Sequence, residues 1–220
     1  MYLAEADGAV AERNETQTVP AAPRPSDRWE TFPYSRLSHH GGACCAIARE
    51  WVVGMDFAQL NGGDLSSGPR WMREKYKWGP SSWPMHWCDV VKRKTIDCGA
   101  HAALALEAFT ARGLTAFPAQ IVQKYSEDAT EQWRGKWNEE DVSCHWLDGE
   151  HIYHEVTALL VGDDEVKIWD ASAGSWINPR QAGGYGSLVA VRIFAEGQWG
   201  GGDGLRWGER RLKPNAWNQI

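Results

Sequence analysis

The chain has 220 residues, of which 43% are hydrophobic, and 23 basic and 29 acidic side chains give it a net charge of −6. This length suits one substantial hydrophobic core and is short for two. The charges are scattered without a sustained basic stripe, which argues against a nucleic-acid partner. No stretch approaches the roughly 20 apolar residues that span a bilayer, and the N-terminus is too acidic for a secretory signal, so we expect no membrane association and a cytoplasmic location.

Five cysteines are an odd number for a chain without an export signal. A disulfide framework is therefore not expected, whereas at least one reduced thiol is. Residues 1–28 contain three prolines, several charges and little apolar periodicity, which predicts a flexible leader. A single domain is predicted over residues 29–220, with a glycine-rich tail from about residue 197.

The first predicted element is a helix from Gly42 to Leu60, where apolar residues recur at helical spacing before a loop with strong turn signals. Cys44 and Cys45 are expected on its inner face, and a second reactive site there is the alternative. Tryptophans then cluster ahead of the next helix, at Trp71, Trp78, Trp83 and Trp87. Packing is the default interpretation of this cluster, and an aromatic-walled substrate groove is the other.

A second helix is predicted to begin near Cys98, with Thr95 as its N-cap and Gly113 just after its C-cap. Its apolar face predicts a core helix whose buried N-terminal end carries Cys98. At that end, unpaired backbone N–H groups and the positive end of the helix dipole favour a thiolate. Cys98 is therefore a candidate nucleophile.

The remaining predicted elements are mostly strands. They are a strand over 114–125, a polar excursion with one short helix over 126–150, a hairpin over 153–169 and a last strand over 187–194. His154 is expected to open the first strand of the hairpin, and Asp170 to end the second. This 16-residue step brings the two side chains onto neighbouring strands.

Other residues compete for these two positions. They are His151 for the histidine, and Asp148, Asp163 and Asp164 for the carboxylate. His154 has the matching step to Asp170 and begins the apolar strand, whereas the competing aspartates lie in predicted loops, where acids are ordinarily solvated.

A zinc site is a further alternative. Cys98 and His101 have a Cys-x-x-His spacing, and the neighbours Cys144 and His145 could complete a ligand set. No second closely spaced ligand pair completes a familiar pattern, however, and adjacent residues rarely ligate one ion together. We therefore expect no metal and no other cofactor.

Three segments together resemble the transglutaminase-like branch of the papain-like cysteine enzymes. They are DCGAHAALALEAFTARGLTAFPAQIVQKY, HEVTALLV and VKIWDAS. The resemblance implies an α+β fold in which a nucleophile helix packs on an antiparallel sheet. It also implies that Cys98 is the nucleophile, His154 the general base and acid, and Asp170 the carboxylate that orients the imidazole.

The chain departs from the family pattern on both sides of the cysteine. Gly99 stands where members often have an aromatic residue, and Asp97 places a carboxylate beside the thiol, which tends to raise the pKa of the thiol.

The expected chemistry is acyl transfer or amide hydrolysis through a thioester acyl-enzyme. The expected partners are a peptide or small-molecule acyl donor, including a carrier-bound thioester, and an amine or water acceptor. The alternatives are an arylamine N-acetyltransferase-like enzyme and a catalytically inactive, tryptophan-rich binding module. Six residues complete the predicted site: Trp83, His86 and Trp87 for the second oxyanion donor, and Trp78, His151 and Trp169 for the substrate groove.

Overall fold

The computed structural model describes residues 34–38, 42–50, 75–79, 81, 84–139, 150–180, 187–195 and 202–220. The predicted leader over 1–28 and the second half of the first predicted helix lie outside these ranges. Within them, no helix is long and apolar enough to cross a membrane.

The described residues form a mixture of helices and mostly antiparallel strands. The helices are α1 over 43–50, α2 over Trp87–Val90, α3 over Cys98–Ala111 and α4 over Glu127–Glu139. The strands are β1 Lys77–Trp78, β2 Thr95–Ile96, β3 Ala116–Lys124, β4 His151–Leu160, β5 Val166–Asp170, β6 Ser175–Ile177, β7 Ser187–Ile193, β8 Leu205–Trp207, β9 Arg210–Leu212 and β10 Asn218–Gln219.

The main sheet has six strands in the order β10-β7-β3-β4-β5-β6, and every neighbouring pair is antiparallel. Strands β3 and β4 pair over nine residues, from Ala116 opposite Leu159 to Lys124 opposite His151. Helix α3 packs on this central pair, and the Thr157 hydroxyl donates a hydrogen bond to the Ala102 carbonyl of α3 over 3.0 Å. The predicted α+β architecture, with a helix on an antiparallel sheet, is confirmed.

The sheet buries apolar side chains on both faces. On one face, Leu159 and Trp169 belong to the same core as Leu104 and Phe109 of α3. On the other face, the alternate residues of these strands pack with the C-terminal segment. That second core includes Phe117, Val156, Ile168, Leu205, Trp207 and Leu212. Because successive side chains of a strand point to opposite faces, one sheet serves both cores.

The structure corrects three local predictions. Asp97, not Thr95, is the N-cap of α3, because its carboxylate accepts the backbone N–H of Ala100 over 2.9 Å. Strand β4 begins at His151 rather than at His154, because its first residues continue the pairing with β3. The predicted glycine-rich tail holds three short strands, and one of them, β10, pairs with β7 at the edge of the main sheet.

Candidate active site

The bounds of helix α3 are set by a capping residue before Cys98 and by a glycine after its last turn. The Asp97 side chain caps the helix, and the Asp97 N–H in turn donates to the Ser81 hydroxyl over 3.0 Å. At the other end, Gly113 adopts a positive φ of 74°, which glycine tolerates best. Cys98 therefore sits in the first turn of a well-defined helix, as predicted, and its side chain is half-buried.

His154 and Asp170 are brought together by the pairing of β4 with β5. The Nε2 atom of His154 lies 3.0 Å from Oδ2 of Asp170, and the two side chains are 15% and 6% exposed. The Cys98 thiol lies close enough to the same imidazole for each group to shift the pKa of the other. The structure thus brings all three predicted residues, Cys98, His154 and Asp170, into one group, in which His154 and Asp170 are hydrogen-bonded.

The Asp170 carboxylate is held from both sides. Its Oδ1 atom accepts the Ser172 hydroxyl over 2.7 Å and the backbone N–H groups of Ser172 and Ala173, each over 3.0 Å. Burial alone would raise the pKa of Asp170, but the attraction of His154 and these hydrogen bonds outweigh burial and lower it to about 2. Asp170 is therefore an anion throughout the physiological range.

The pKa values of His154 and Cys98 follow from the same contacts. Burial opposes the charged imidazolium, yet the charges of Asp170 and Cys98 raise the pKa of His154 well above its ordinary value. For Cys98, burial raises the pKa of the thiol, the neighbouring Asp97 and Glu155 add to this increase, and His154 opposes it. Cys98 and His154 therefore each favour the charged form of the other, whereas burial opposes both charges.

A second carboxyl group lies beside Cys98 that sequence reasoning missed. Glu155 is 5% exposed and accepts the Ser35 N–H over 2.9 and 3.0 Å, the Ser35 hydroxyl over 3.1 Å and the Tyr153 hydroxyl. Burial is the main cause that raises the pKa of Glu155 to about 7. The sequence signal for Glu155 is a glutamate within the otherwise apolar strand HEVTALLV. A carboxyl group that is buried in such a strand needs hydrogen-bond partners, so its presence there indicates a polar contact in the core.

The cluster of Ser35 and Glu155 also explains Gly99. A Cβ atom at this position would lie 2.5 Å from the Ser35 hydroxyl oxygen, 2.7 Å from the Ser35 Cβ and 3.2 Å from Glu155 Oε2. The segment over 34–38 therefore occupies the space that a side chain at position 99 would need.

The structure describes two of the three predicted oxyanion donors, His86 and Trp87. The His86 imidazole lies 2.8 Å from the Ser38 hydroxyl and caps α2. Trp87 is 2% exposed and packs in the hydrophobic core, and its role as a donor stays a prediction. Trp83 lies outside the described residues.

The predicted groove residues differ in their exposure. Trp78 pairs with Ile96, two residues before Cys98, and its half-buried ring packs edge to face on Trp133 at 5.0 Å, so an aromatic pair stands near the start of α3. His151 is half-buried at the beginning of β4 and lies opposite Lys124. Trp169 is fully buried against Trp176, and its prediction as a groove residue is wrong.

Comparisons with models of known families, with curated proteins and with solved structures find no match to this chain.

Proposed function

We propose that this chain is a cysteine-dependent acyl-transfer or amide-hydrolysing enzyme with a transglutaminase-like core. The observation that supports this proposal is the grouping of Cys98, at a helix start, with the hydrogen-bonded pair of His154 and Asp170 on two adjacent strands. Nucleophile, base and orienting carboxylate in this order of contact are the recurring arrangement of covalent acyl transfer.

In the proposed reaction, the Cys98 sulfur attacks the carbonyl carbon of an amide, ester or thioester. A bond forms between sulfur and carbon, and the bond from that carbon to the leaving nitrogen, oxygen or sulfur breaks. The proton of the thiol passes through His154 to the leaving group. Water or an amine then attacks the thioester, returns its own proton through His154 and releases the thiol.

The helix start supports one oxyanion donor. Because the Asp97 side chain caps the N–H of Ala100, the cap leaves the Cys98 N–H to a ligand. A donor of this kind contributes about 3 kcal/mol to lowering the barrier in comparable enzymes.

Intact-mass spectrometry of the full chain tests the proposal. Wild type, Cys98→Ala and the control Cys44→Ala are exposed to iodoacetamide, acyl-thioesters and peptide amides, from neutral to alkaline pH. Cys44 is an exposed thiol outside the proposed site, which makes it a matched control. We expect one acyl adduct and one fast alkylation that disappear in Cys98→Ala and persist in Cys44→Ala.

The contrary result is equally clear. If Cys98 reacts no faster than Cys44, and Cys98→Ala retains every activity found for wild type, the proposed mechanism is wrong.

A second experiment distinguishes the acceptors when wild type is acylated. A primary amine is added to the acylated sample, because transfer gives an amide product whereas hydrolysis gives only the free acid.

A further inference from the structure

Three of the five cysteines meet on the side of the molecule where α1 packs against α2. Cys44 and Cys45 lie in α1, and Cys88, 43 residues after Cys45, lies in α2. Their three sulfur atoms all lie within 4.8 Å of one another, and the sulfurs of Cys45 and Cys88 are 3.3 Å apart. We call this group the thiol cluster.

Ordinary core packing accounts for only part of the thiol cluster. Cys45 and Cys88 are buried among apolar side chains, where cysteine often serves as a small hydrophobic residue. Cys44 is exposed, yet its sulfur lies within the same 4.8 Å group. Core packing gives no reason for a solvent-exposed thiol to converge on two buried ones.

We propose that Cys44, Cys45 and Cys88 bind a thiophilic d¹⁰ metal ion, Zn²⁺ or Cu⁺, as three thiolate ligands. Zinc–sulfur bonds of about 2.3 Å in a tetrahedron place sulfur atoms about 3.8 Å apart, within the range that the thiol cluster spans. Soft thiolates select these ions over harder ones. A tetrahedral ion takes water at its fourth position, and the exposed Cys44 gives the ion a path of entry.

A disulfide fits the thiol cluster less well than a metal ion. An S–S bond of about 2.05 Å requires the sulfurs of Cys45 and Cys88 to approach by more than an ångström from 3.3 Å. It would also leave Cys44 without a role. The sequence adjacency of Cys44 and Cys45 is unusual for ligands of one ion, but here the third thiol comes from another helix and lies close to both.

Metal binding would fasten the N-terminal segment to the core. The Ser38 N–H donates to the Met85 carbonyl over 3.1 Å and the Trp87 N–H to the Ser38 carbonyl over 3.2 Å, so residues 34–38 already lie against the start of α2. The same segment carries Ser35, which binds Glu155. Because a site that exists only in the folded chain stabilises that chain, the metal form should unfold at a higher temperature.

The test uses the full chain, purified under anaerobic, reducing conditions and freed of metal with a chelator. Zn²⁺ and Cu⁺ are titrated separately against chromophoric competitors, the bound metal is counted by elemental mass spectrometry, and Co²⁺ reports thiolate ligands by charge-transfer absorption. Wild type should bind one equivalent. Changes outside the ligand shell of a metal site lower its affinity by up to roughly 100-fold. Cys45→Ser and Cys88→Ser, which each remove a ligand, should lower the affinity by more than that.

Further variants separate loss of ligands from loss of folding. Cys44→Ser changes an exposed residue and should weaken binding while circular dichroism stays unchanged. Cys98→Ala and Cys144→Ser remove a cysteine elsewhere in the chain and should keep one equivalent. The proposal is overturned if wild type binds Zn²⁺ and Cu⁺ no more tightly than Cys44→Ser, or if Cys98→Ala loses the metal. It is also overturned if the metal-free protein forms a Cys45–Cys88 disulfide and then no reduced form accepts an ion.

Discussion

The Nε2 atom of His154 donates a hydrogen bond to Oδ2 of Asp170 over 3.0 Å. Because Nε2 is occupied in this way, Nδ1 is the ring nitrogen left to exchange a proton with a thiol. The carboxylate therefore does two things at once, since it fixes the orientation of the ring and stabilises the imidazolium.

Asp170→Asn tests this coupling. Removal of the negative charge destabilises the imidazolium, so the pKa of His154 falls, and the acidic limb of the pH profile of kcat/KM should move to lower pH. The maximum should fall by about 10²- to 10⁴-fold, because the amide no longer holds the required tautomer. The measurement is kcat/KM, or the rate of Cys98 alkylation, as a function of pH.

Asp164→Asn is the control for this experiment, because Asp164 pairs with Arg211 at the surface. It should leave the pH profile unchanged. A profile that does not move in Asp170→Asn would show that Asp170 does not set the protonation of His154.

Glu155→Gln should change how stability depends on pH. Burial raises the pKa of Glu155 from 4.5 to about 7, so between these values the folded chain holds a proton that the unfolded chain has lost. The stability of wild type therefore falls as the pH rises through this window, by at most about 3 kcal/mol. Gln cannot ionise and keeps an oxygen acceptor for Ser35, so the variant should gain stability relative to wild type as the pH rises.

Urea unfolding at about pH 5 and about pH 8 measures the difference in unfolding free energy between Glu155→Gln and wild type. Glu150→Gln, at an exposed position, is the control and should show the same difference at both pH values. A difference for Glu155→Gln that is equal at the two pH values would contradict the raised pKa.

Gly99→Ala should show that the Ser35 segment fills the space after the cysteine. The new methyl group would lie 2.5 Å from the Ser35 hydroxyl oxygen and 2.7 Å from its Cβ, so the segment must move away from α3. Overpacking of this kind costs about 1 to 3 kcal/mol of unfolding free energy. Loss of the Ser35 contacts should also raise the pKa of Glu155 further, because these hydrogen bonds lower it.

Gly135→Ala provides the matched control, because a Cβ there meets no atom within 4 Å and the residue lies inside α4. It should stabilise the chain by about 0.5 to 1 kcal/mol through helix propensity. Denaturant unfolding compares the two variants. If Gly99→Ala proves as stable as Gly135→Ala, Ser35 is not held against α3.

The parts of the site that follow from local sequence rules were predictable. The helix start at Cys98 and the stop at Gly113 depend on residues within the helix and its ends, and the step from His154 to Asp170 depends on one hairpin. The sequence alone places Asp97 beside the thiol, where its charge raises the pKa of Cys98, and the structure adds that Asp97 is also the N-cap.

The parts that were missed depend on contacts that are distant in sequence. Ser35 lies 120 residues before Glu155, and no periodicity in either segment indicates that the two meet. Cys88 lies 43 residues after Cys45, in a helix of four residues that is too short to show a pattern. The C-terminal strands contain two or three residues each, and their burial depends on the face of the sheet that they cover.

His101→Leu tests a histidine that lies one turn after Cys98 in α3. His101 is 1% exposed, and neither ring nitrogen has a hydrogen-bond partner within the described part of the chain. Burial lowers its pKa to about 4, so between about 4 and 6.5 the unfolded chain holds a proton that the folded chain lacks. Wild type therefore loses stability as the pH falls through this window.

Leucine cannot bind that proton, so His101→Leu should gain up to about 3 kcal/mol over wild type at the acidic end of the window. At neutral pH it should also gain about 1 kcal/mol, because it removes two buried polar atoms without partners. His101→Gln separates the two effects, since it also cannot be protonated but keeps an unsatisfied amide. It should reproduce the acidic gain and not the neutral one. If both variants lose stability equally at neutral and acidic pH, His101 contributes through packing rather than through the cost of its buried imidazole.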